Sequence, residues 1–279
     1  MKTSDLLFLR PRDSSGLSED QLAKNPPEII YHYTSCETAE LVLGAGTIKL
    51  SAPQTFNDPL DMYEKLIDFT CTDEELEGLI HSLCREYPVV DRLRRIKEIR
   101  REGLDKFAAD GLNTFRKSKE SSRVCCFSTE KDIALMWSHY AKQHTGVCLG
   151  FNFAPVVGYG DIEMILKKVN YLKEIRAVKY YDPSNSRNPY LKATNHWLSS
   201  KSDVWSYEKE VRALIVNRSG NDLFPFEKAC LKEIYFGCRT PTSVRKNLLD
   251  LITQKGYNVS IKQQMIIDDT TFNIKPVDF

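Results

Sequence analysis

Glu208 and Glu210, two carboxylates two residues apart, are the side chains of this sequence best spaced to act together on one bond. They stand within residues 202–216, SDVWSYEKEVRALIV. The middle of this stretch alternates as an extended chain does, with Trp205, Tyr207, Lys209 and Val211 on one side and Glu208, Glu210 and Arg212 on the other. On one face of a strand the carboxylates lie about 7 Å apart, twice the rise per residue. The segment runs on into the apolar residues 213–216, so the pair is expected where a strand leaves the core. There two carboxyl pKa values can be pushed apart. A glutamate fixed at such a point can stabilise an oxocarbenium-like transition state, the chemistry of glycosidic and N-glycosidic cleavage. A structural ion pair, with Arg212 neutralising Glu210, has the same sequence signature.

Two other chemistry-bearing residues need placing, His32 and Ser128, each expected at a strand end. A Ser-His-Glu hydrolase needs its nucleophile on a strained, glycine-flanked turn, and Cys126-Phe127-Ser128-Thr129-Glu130 has no glycine. Nothing singles out one of the eight cysteines as a nucleophile, and none has zinc-ligand spacing. His139 and His144, read on one helix, point about 140° apart, which is a poor chelating pair. No metal is expected.

The positioning elements follow from pattern. Residues 1–27 read as a polar arm and 28–33 as a strand. Thr34-Ser35 can cap a helix over 36–43 that Gly44-Ala45-Gly46 stops, and 47–51 is a strand. A turn-rich loop follows, from Pro53 through Asn57, Asp58 and Asp61. Residues 73–120 are charged and helical in period, read as two helices broken near Tyr87-Pro88. Their basic run, Arg92 to Arg101, suits either a solvated face or a phosphate-bearing partner. Strands are expected over 123–128, 147–151, 164–171, 177–181, 232–237 and 259–267. Helices are expected over 133–144, 190–200 and 243–254, the second bringing Lys192 and His196 towards the central strand. The sum is an α+β protein with a mixed, mostly antiparallel sheet and a helical insertion in a single domain over 28–279.

Composition sets outer bounds. The chain has 279 residues, 42% hydrophobic and 28% charged, with a formal net charge of +1. That balance suits a globular protein and gives no global field for nucleic acid or acidic membranes. No apolar run reaches the length of a membrane-spanning helix, and the N-terminus lacks the features of a signal peptide. Reduced, mostly buried cysteines in the cytoplasm are expected.

These residues carry two resemblances. Residues 51–61 (SAPQTFNDPLD), Cys126-Phe127-Ser128, Met136-Trp137-Ser138-His139-Tyr140-Ala141 with His144 and Gly146, and Trp205 to Arg212 resemble an uncharacterised bacterial domain family found beside mobile elements and phage-defence genes. More distantly, Tyr31-His32-Tyr33-Thr34, Ser128 and Glu208-Lys209-Glu210 resemble the histidine, serine and E-x-E motifs of ADP-ribosyltransferases. The second resemblance implies NAD as substrate and an ADP-ribosyltransferase-like core. His32, Tyr33 and Thr34 then hold NAD, with His32 on a ribose hydroxyl, and Ser128 braces Glu210. Glu210 stabilises the oxocarbenium ion and Glu208 orients or deprotonates an unknown protein or nucleic-acid acceptor. Asn57 and Asp58 line the nicotinamide or acceptor side, and Arg212 pairs with a carboxylate or pyrophosphate. The competing readings are a non-catalytic recognition or sensing module of a defence system, and a metal-dependent phosphate-ester hydrolase using Asp58, Asp61, Glu208 and Glu210.

Overall fold

The computed structural model describes residues 29–153, 156–159, 162–182, 190–215 and 222–278; the arm expected over 1–27 lies outside them. In chain order the strands are β1 (Ile30–Thr34), β2 (Thr47–Lys49), β3 (Ile67–Asp68), β4 (Arg123–Ser128), β5 (Val147–Phe151), β6 (Val156–Tyr159), β7 (Ile162–Lys168), β8 (Asn170–Leu172), β9 (Val178–Lys179), β10 (Ser200–Ser202), β11 (Glu210–Ile215), β12 (Leu223–Pro225), β13 (Leu231–Phe236), β14 (Ile261–Ile267) and β15 (Ile274–Val277). The helices are α1 (Cys36–Ala45), α2 (Asp73–Leu83), α3 (Val89–Glu102), α4 (Leu104–Ser121), α5 (Ala134–His139), α6 (Leu191–Ser199) and α7 (Thr242–Lys255). The chain divides into two compact units. Of the described residues, a sheet unit takes those within 29–52, 122–169 and 204–278, and a helical unit takes those within 53–121 and 170–203.

The sheet unit is built on nine strands in the order β15-β14-β13-β5-β1-β4-β11-β7-β6. Its pairings are antiparallel except β13 with β14, so the sheet is mixed and mostly antiparallel. Strand alternation sorts its side chains into two layers. Ile30, Cys125, Phe127, Leu149, Phe151, Val211, Ala213, Ile234 and Phe236 pack in one cluster with Ala39, Val42 and Leu43 of α1 and Leu248 and Ile252 of α7. Fully burying a side chain of this kind stabilises by about 1.5–3 kcal/mol, and this cluster is the main core. On the opposite face Tyr31, Tyr33, Cys148, Tyr235 and Met265 pack against Met136, Trp137 and Ala141. α1 begins because Ser35, in extended conformation, accepts the Thr38 N–H at 3.1 Å. It ends at Gly46, whose φ of 66° is the left-handed geometry a helix C-terminus favours.

Two expected elements are corrected here. The strand read through 202–216 starts only at Glu210; Asp203–Glu208 is a 3-10 turn and Lys209 has φ 48°. Bonds to the neighbouring strand set this bend: Ser128 Oγ donates to the Glu208 carbonyl at 2.7 Å and the Thr129 N–H to the Lys209 carbonyl at 3.0 Å. The helix expected over 133–144 stops at His139, and Lys142, Gln143 and His144 all take positive φ. Such geometry costs non-glycine residues about 1 kcal/mol or more each. It persists because the carbonyls beyond it are held from the far strand connection. Arg239 N–H donates to His144 O at 3.0 Å, Gly237 N–H to Gly146 O at 2.9 Å, and Thr240 Oγ1 to Gly146 O at 2.9 Å.

The helical unit has its own aromatic core, in which Phe115 meets Phe69, Tyr180 and Trp197, and Phe107 stacks on Tyr181. A capping box between Thr72 and Glu75 starts α2. The two helices expected over 73–120 are three, because Gly103, at φ 98°, ends α3 after the break at Pro88. Arg100 bonds Asp73 and Glu77 at 2.6 and 2.7 Å, and Arg94 pairs with Asp91 at 3.2 Å; these members of the basic run are balanced by neighbouring acids. Among the described residues no helix is long and apolar enough to cross a membrane.

A Cβ at Gly237 would lie 2.1 Å from the His144 carbonyl oxygen, whereas one at Gly44 meets nothing within 4 Å. Gly237→Ala is therefore expected to lower stability by about 1–3 kcal/mol, seen as a lower urea midpoint, with Gly44→Ala causing no loss. An unchanged midpoint for Gly237→Ala contradicts the contact.

Candidate active site

The sheet register brings some of the expected residues together. Glu210 on β11 stands directly opposite Ser128 on β4, and Ser128 is opposite Tyr31 on β1. Cross-strand partners share a face, so Glu210, Ser128, Tyr31 and, by alternation, Arg212 and Tyr33 all belong to the face packed under α5. His32 and Thr34 alternate to the other face. The His32 ring lies 5.4 Å from Phe127, its Nδ1 is 3.1 Å from the Cys126 carbonyl oxygen, and Cys125 Sγ is 3.7 Å away. The one-cluster arrangement of His32, Ser128 and Glu210 expected from the sequence is thus divided between opposite faces, because β1 is continuous and its side chains alternate.

The two glutamates also differ from expectation. Glu210 and Arg212 are buried, at 3% and 0% exposure. Arg212 Nε donates to Glu210 Oε1 at 2.8 Å, with a second, longer contact from the guanidinium to Oε2 at 3.4 Å. This is the ion pair that the sequence allowed as the alternative to a pyrophosphate contact. Glu208, 3% exposed, accepts from the Tyr140 hydroxyl at 2.6 Å. Ser128 does not brace the Glu210 carboxylate: its hydroxyl donates to the Glu208 backbone carbonyl and accepts the Glu130 N–H at 3.1 Å. It fixes the bend between the two glutamates instead. Lys167 of β7 stands opposite Arg212, and burial pulls its ammonium down to about 8, giving the face a base that loses its proton in mildly alkaline solution.

Sequence reading missed a third buried carboxylate on this face. Glu233 Oε2 accepts from Tyr31 and Tyr235 hydroxyls at 3.0 and 2.9 Å, and the Lys131 ammonium lies 5.8 Å from both ring centres. Burial first, then Glu233, raises both phenol pKa values. The available signal was the alternation of Glu233 and Tyr235 with Ile234 and Phe236 in a strand read only as buried. Tyr140 was missed as a partner because its helix was drawn too long. Trp137, wholly buried, donates from its indole nitrogen to the Lys131 carbonyl at 2.8 Å, which anchors the segment over the sheet.

The remaining expected residues lie in the helical unit. Asn57 is exposed, and Asp58 closes an Asx turn by accepting the Leu60 N–H at 2.9 Å. Asp61 pairs with Lys201 at 3.5 Å, both buried. His196 is 2.7 Å from the Arg176 carbonyl oxygen and Lys192 is exposed. Among the described residues no group of three His, Cys, Asp or Glu is placed to hold a metal ion.

With this geometry in view, comparison with known proteins adds one assignment. Residues 136–213 match the model of a family described as "Protein of unknown function (DUF2971)", so this stretch of the chain is similar to that uncharacterised domain. The matched stretch runs from Met136 through the Tyr140–Glu208 contact to Arg212 and Ala213. No curated protein and no solved structure matches the chain.

Two predictions follow from burial. Removing one partner of a buried ion pair strands the other charge, so Arg212→Met and Glu210→Gln are each expected to cost about 3–5 kcal/mol. The double variant should cost less than the sum of the two, measured by urea unfolding; additive losses would show that the pair is not coupled. His32 has its pKa lowered from 6.5, by desolvation chiefly, with the Cys126 carbonyl opposing. The unfolded chain then takes up the proton first as pH falls, so stability is expected to drop from about pH 6.5 downward. His32→Phe should flatten that part of the pH–stability curve, and an unchanged slope would locate the titration elsewhere.

Proposed function

We propose that the face bearing Ser128, Glu208, Glu210 and Arg212 is the active centre of an ADP-ribosyltransferase-like enzyme that cleaves the nicotinamide–ribose bond of NAD. The observation carrying this reading is the direct pairing of Glu210 with Ser128 on adjacent central strands, with Glu208 one bend away and its carboxylate on Tyr140. This is the serine and E-x-E juxtaposition that the sequence resemblance implies. In this reading the Glu208 or Glu210 carboxylate stabilises the developing oxocarbenium charge, Ser128 fixes the backbone between them, and Tyr140 orients Glu208. Nicotinamide departs with the bonding electrons, and an acceptor nucleophile on a protein, a nucleic acid or water closes the ribose C1 position. A cytoplasmic role in phage defence or as a toxin accompanies this proposal. His32 is left out of the centre, since it faces the other side of β1.

One observation favours a second reading, a non-catalytic recognition module. Both carboxylates are nearly inaccessible and already engaged by Arg212 and Tyr140, as members of a structural network are.

The test is nicotinamide release from NAD by the purified full chain, beside Glu208→Gln, Glu210→Gln and Tyr140→Phe. The transferase reading expects activity lost by about 10²-fold or more in Glu208→Gln with the fold intact, a loss in Glu210→Gln accompanied by the destabilisation its broken ion pair brings, and a smaller loss in Tyr140→Phe. NAD that neither binds nor turns over supports the recognition module.

A further inference from the structure

The sheet unit also holds a cavity of about 250 Å³ whose lining, His144, Cys238, Arg239, Ile267, Thr271, Phe272, Asn273 and Ile274, shares no residue with the carboxylate site. We propose that this cavity binds a small organic anion, a carboxylate or phosphate group carried on an apolar or single-ring body. The proposal is independent of the NAD reading, because a cavity this small suits a ligand well below dinucleotide size.

Charge gives the first argument. The lining holds a guanidinium and no carboxylate, and Arg239 makes no side-chain hydrogen bond or ion pair among the described residues. Of the two acids on the hairpin, Asp268 is taken by Thr270 and by Lys275 at 3.7 Å, and Asp269 is exposed to solvent and outside the lining. An unengaged arginine beside apolar walls is a ready partner for an oxyanion.

Unused hydrogen-bonding capacity is the second. His144 Nδ1 is sealed from solvent and has no hydrogen-bond partner, an arrangement that disfavours a proton on that atom. The neutral ring then carries its proton on Nε2, leaving one N–H donor for a ligand in the cavity that His144 lines. Desolvation and the positive charge of Arg239 both hold the imidazole in this neutral form. Thr271 and Asn273 supply further polar groups on the opposite wall.

The third is backbone geometry. His144 closes a run of three residues with positive φ, and its carbonyl is tied to the Arg239 N–H at 3.0 Å. The backbones that carry these two side chains are therefore held together, although one belongs to the loop after α5 and the other follows β13. Opposite them, Phe272 is fully exposed and Ile267 is 63% exposed, while Ile274 is buried. An apolar ligand body would cover aromatic and aliphatic surface that the fold leaves open.

Cys238, a free and half-buried thiol in the lining, reports on occupancy. Iodoacetamide labelling of the intact full chain, mapped to individual cysteines by mass spectrometry, is run with phenyl phosphate, benzoate or inorganic phosphate. Phenyl phosphate or benzoate is expected to slow Cys238 labelling about tenfold at saturation while exposed Cys126 reacts unchanged, and inorganic phosphate is expected to protect several-fold less. Arg239→Gln should abolish protection and Phe272→Ser should weaken it, each with an unchanged melting temperature because both side chains are exposed. Three results overturn the proposal: no protection by either aromatic anion, protection that persists in Arg239→Gln, or inorganic phosphate protecting as well as phenyl phosphate.

Discussion

The buried pair of Glu210 and Arg212 constrains much of the sheet unit. Two charges with almost no solvent contact are tolerable only when each compensates the other and their remaining hydrogen-bonding groups are satisfied. Their strand is therefore held in register between β4 and β7, with Ser128 and Thr129 fixing the bend where it begins. A one-residue slip of β11 would drive Glu210 and Arg212 into the apolar core around Phe127 and move Val211 onto the buried carboxylate face. The polar pair thus acts on register as much as on stability.

A second consequence concerns the face it occupies. The side beneath α5 is rich in phenols, with Tyr31, Tyr33, Tyr140 and Tyr235 each making a hydrogen bond to a carboxylate or a carbonyl. The opposite side, between the sheet and α1 and α7, is an apolar core into which His32 projects at its edge. Tyrosines bury large area while keeping one polar atom, so this arrangement places carboxylates inside the protein without isolating them. It also separates the chemistry of the two faces: acid and phenol on one, a lone desolvated imidazole on the other.

Much of the sheet was legible in the sequence. β1, β4, β5 and β13 came from apolar runs bounded by turn residues, the start of α1 from Thr34-Ser35, and its stop from Gly44-Ala45-Gly46, two residues short of the observed end at Ala45. Two kinds of feature were not. The bend at Lys209 and the three left-handed residues ending at His144 run against local propensity, and tertiary hydrogen bonds from Ser128, Gly237, Arg239 and Thr240 hold them. No window of sequence contains those partners. The convergence of His32 with Ser128 was drawn from motif order, which says which strands are adjacent but not which way each residue faces. The hydrogen bonds of Glu233 and Tyr140 were not legible for a related reason: their partners are 202 and 68 residues away, in Tyr31 and Glu208.

The account's central claim is that the polar chemistry of the sheet unit lies on the Glu208–Tyr140 face and that His32 is separate from it. Side-chain NMR of the full chain during NAD titration tests this most directly, with Tyr140, Glu208 and His32 observed in one experiment. The account predicts shifts of the Tyr140 ring and Glu208 carboxyl signals on addition of NAD, with the His32 imidazole unmoved. A His32 response with Tyr140 and Glu208 unchanged, or no response at any of the three, would contradict it.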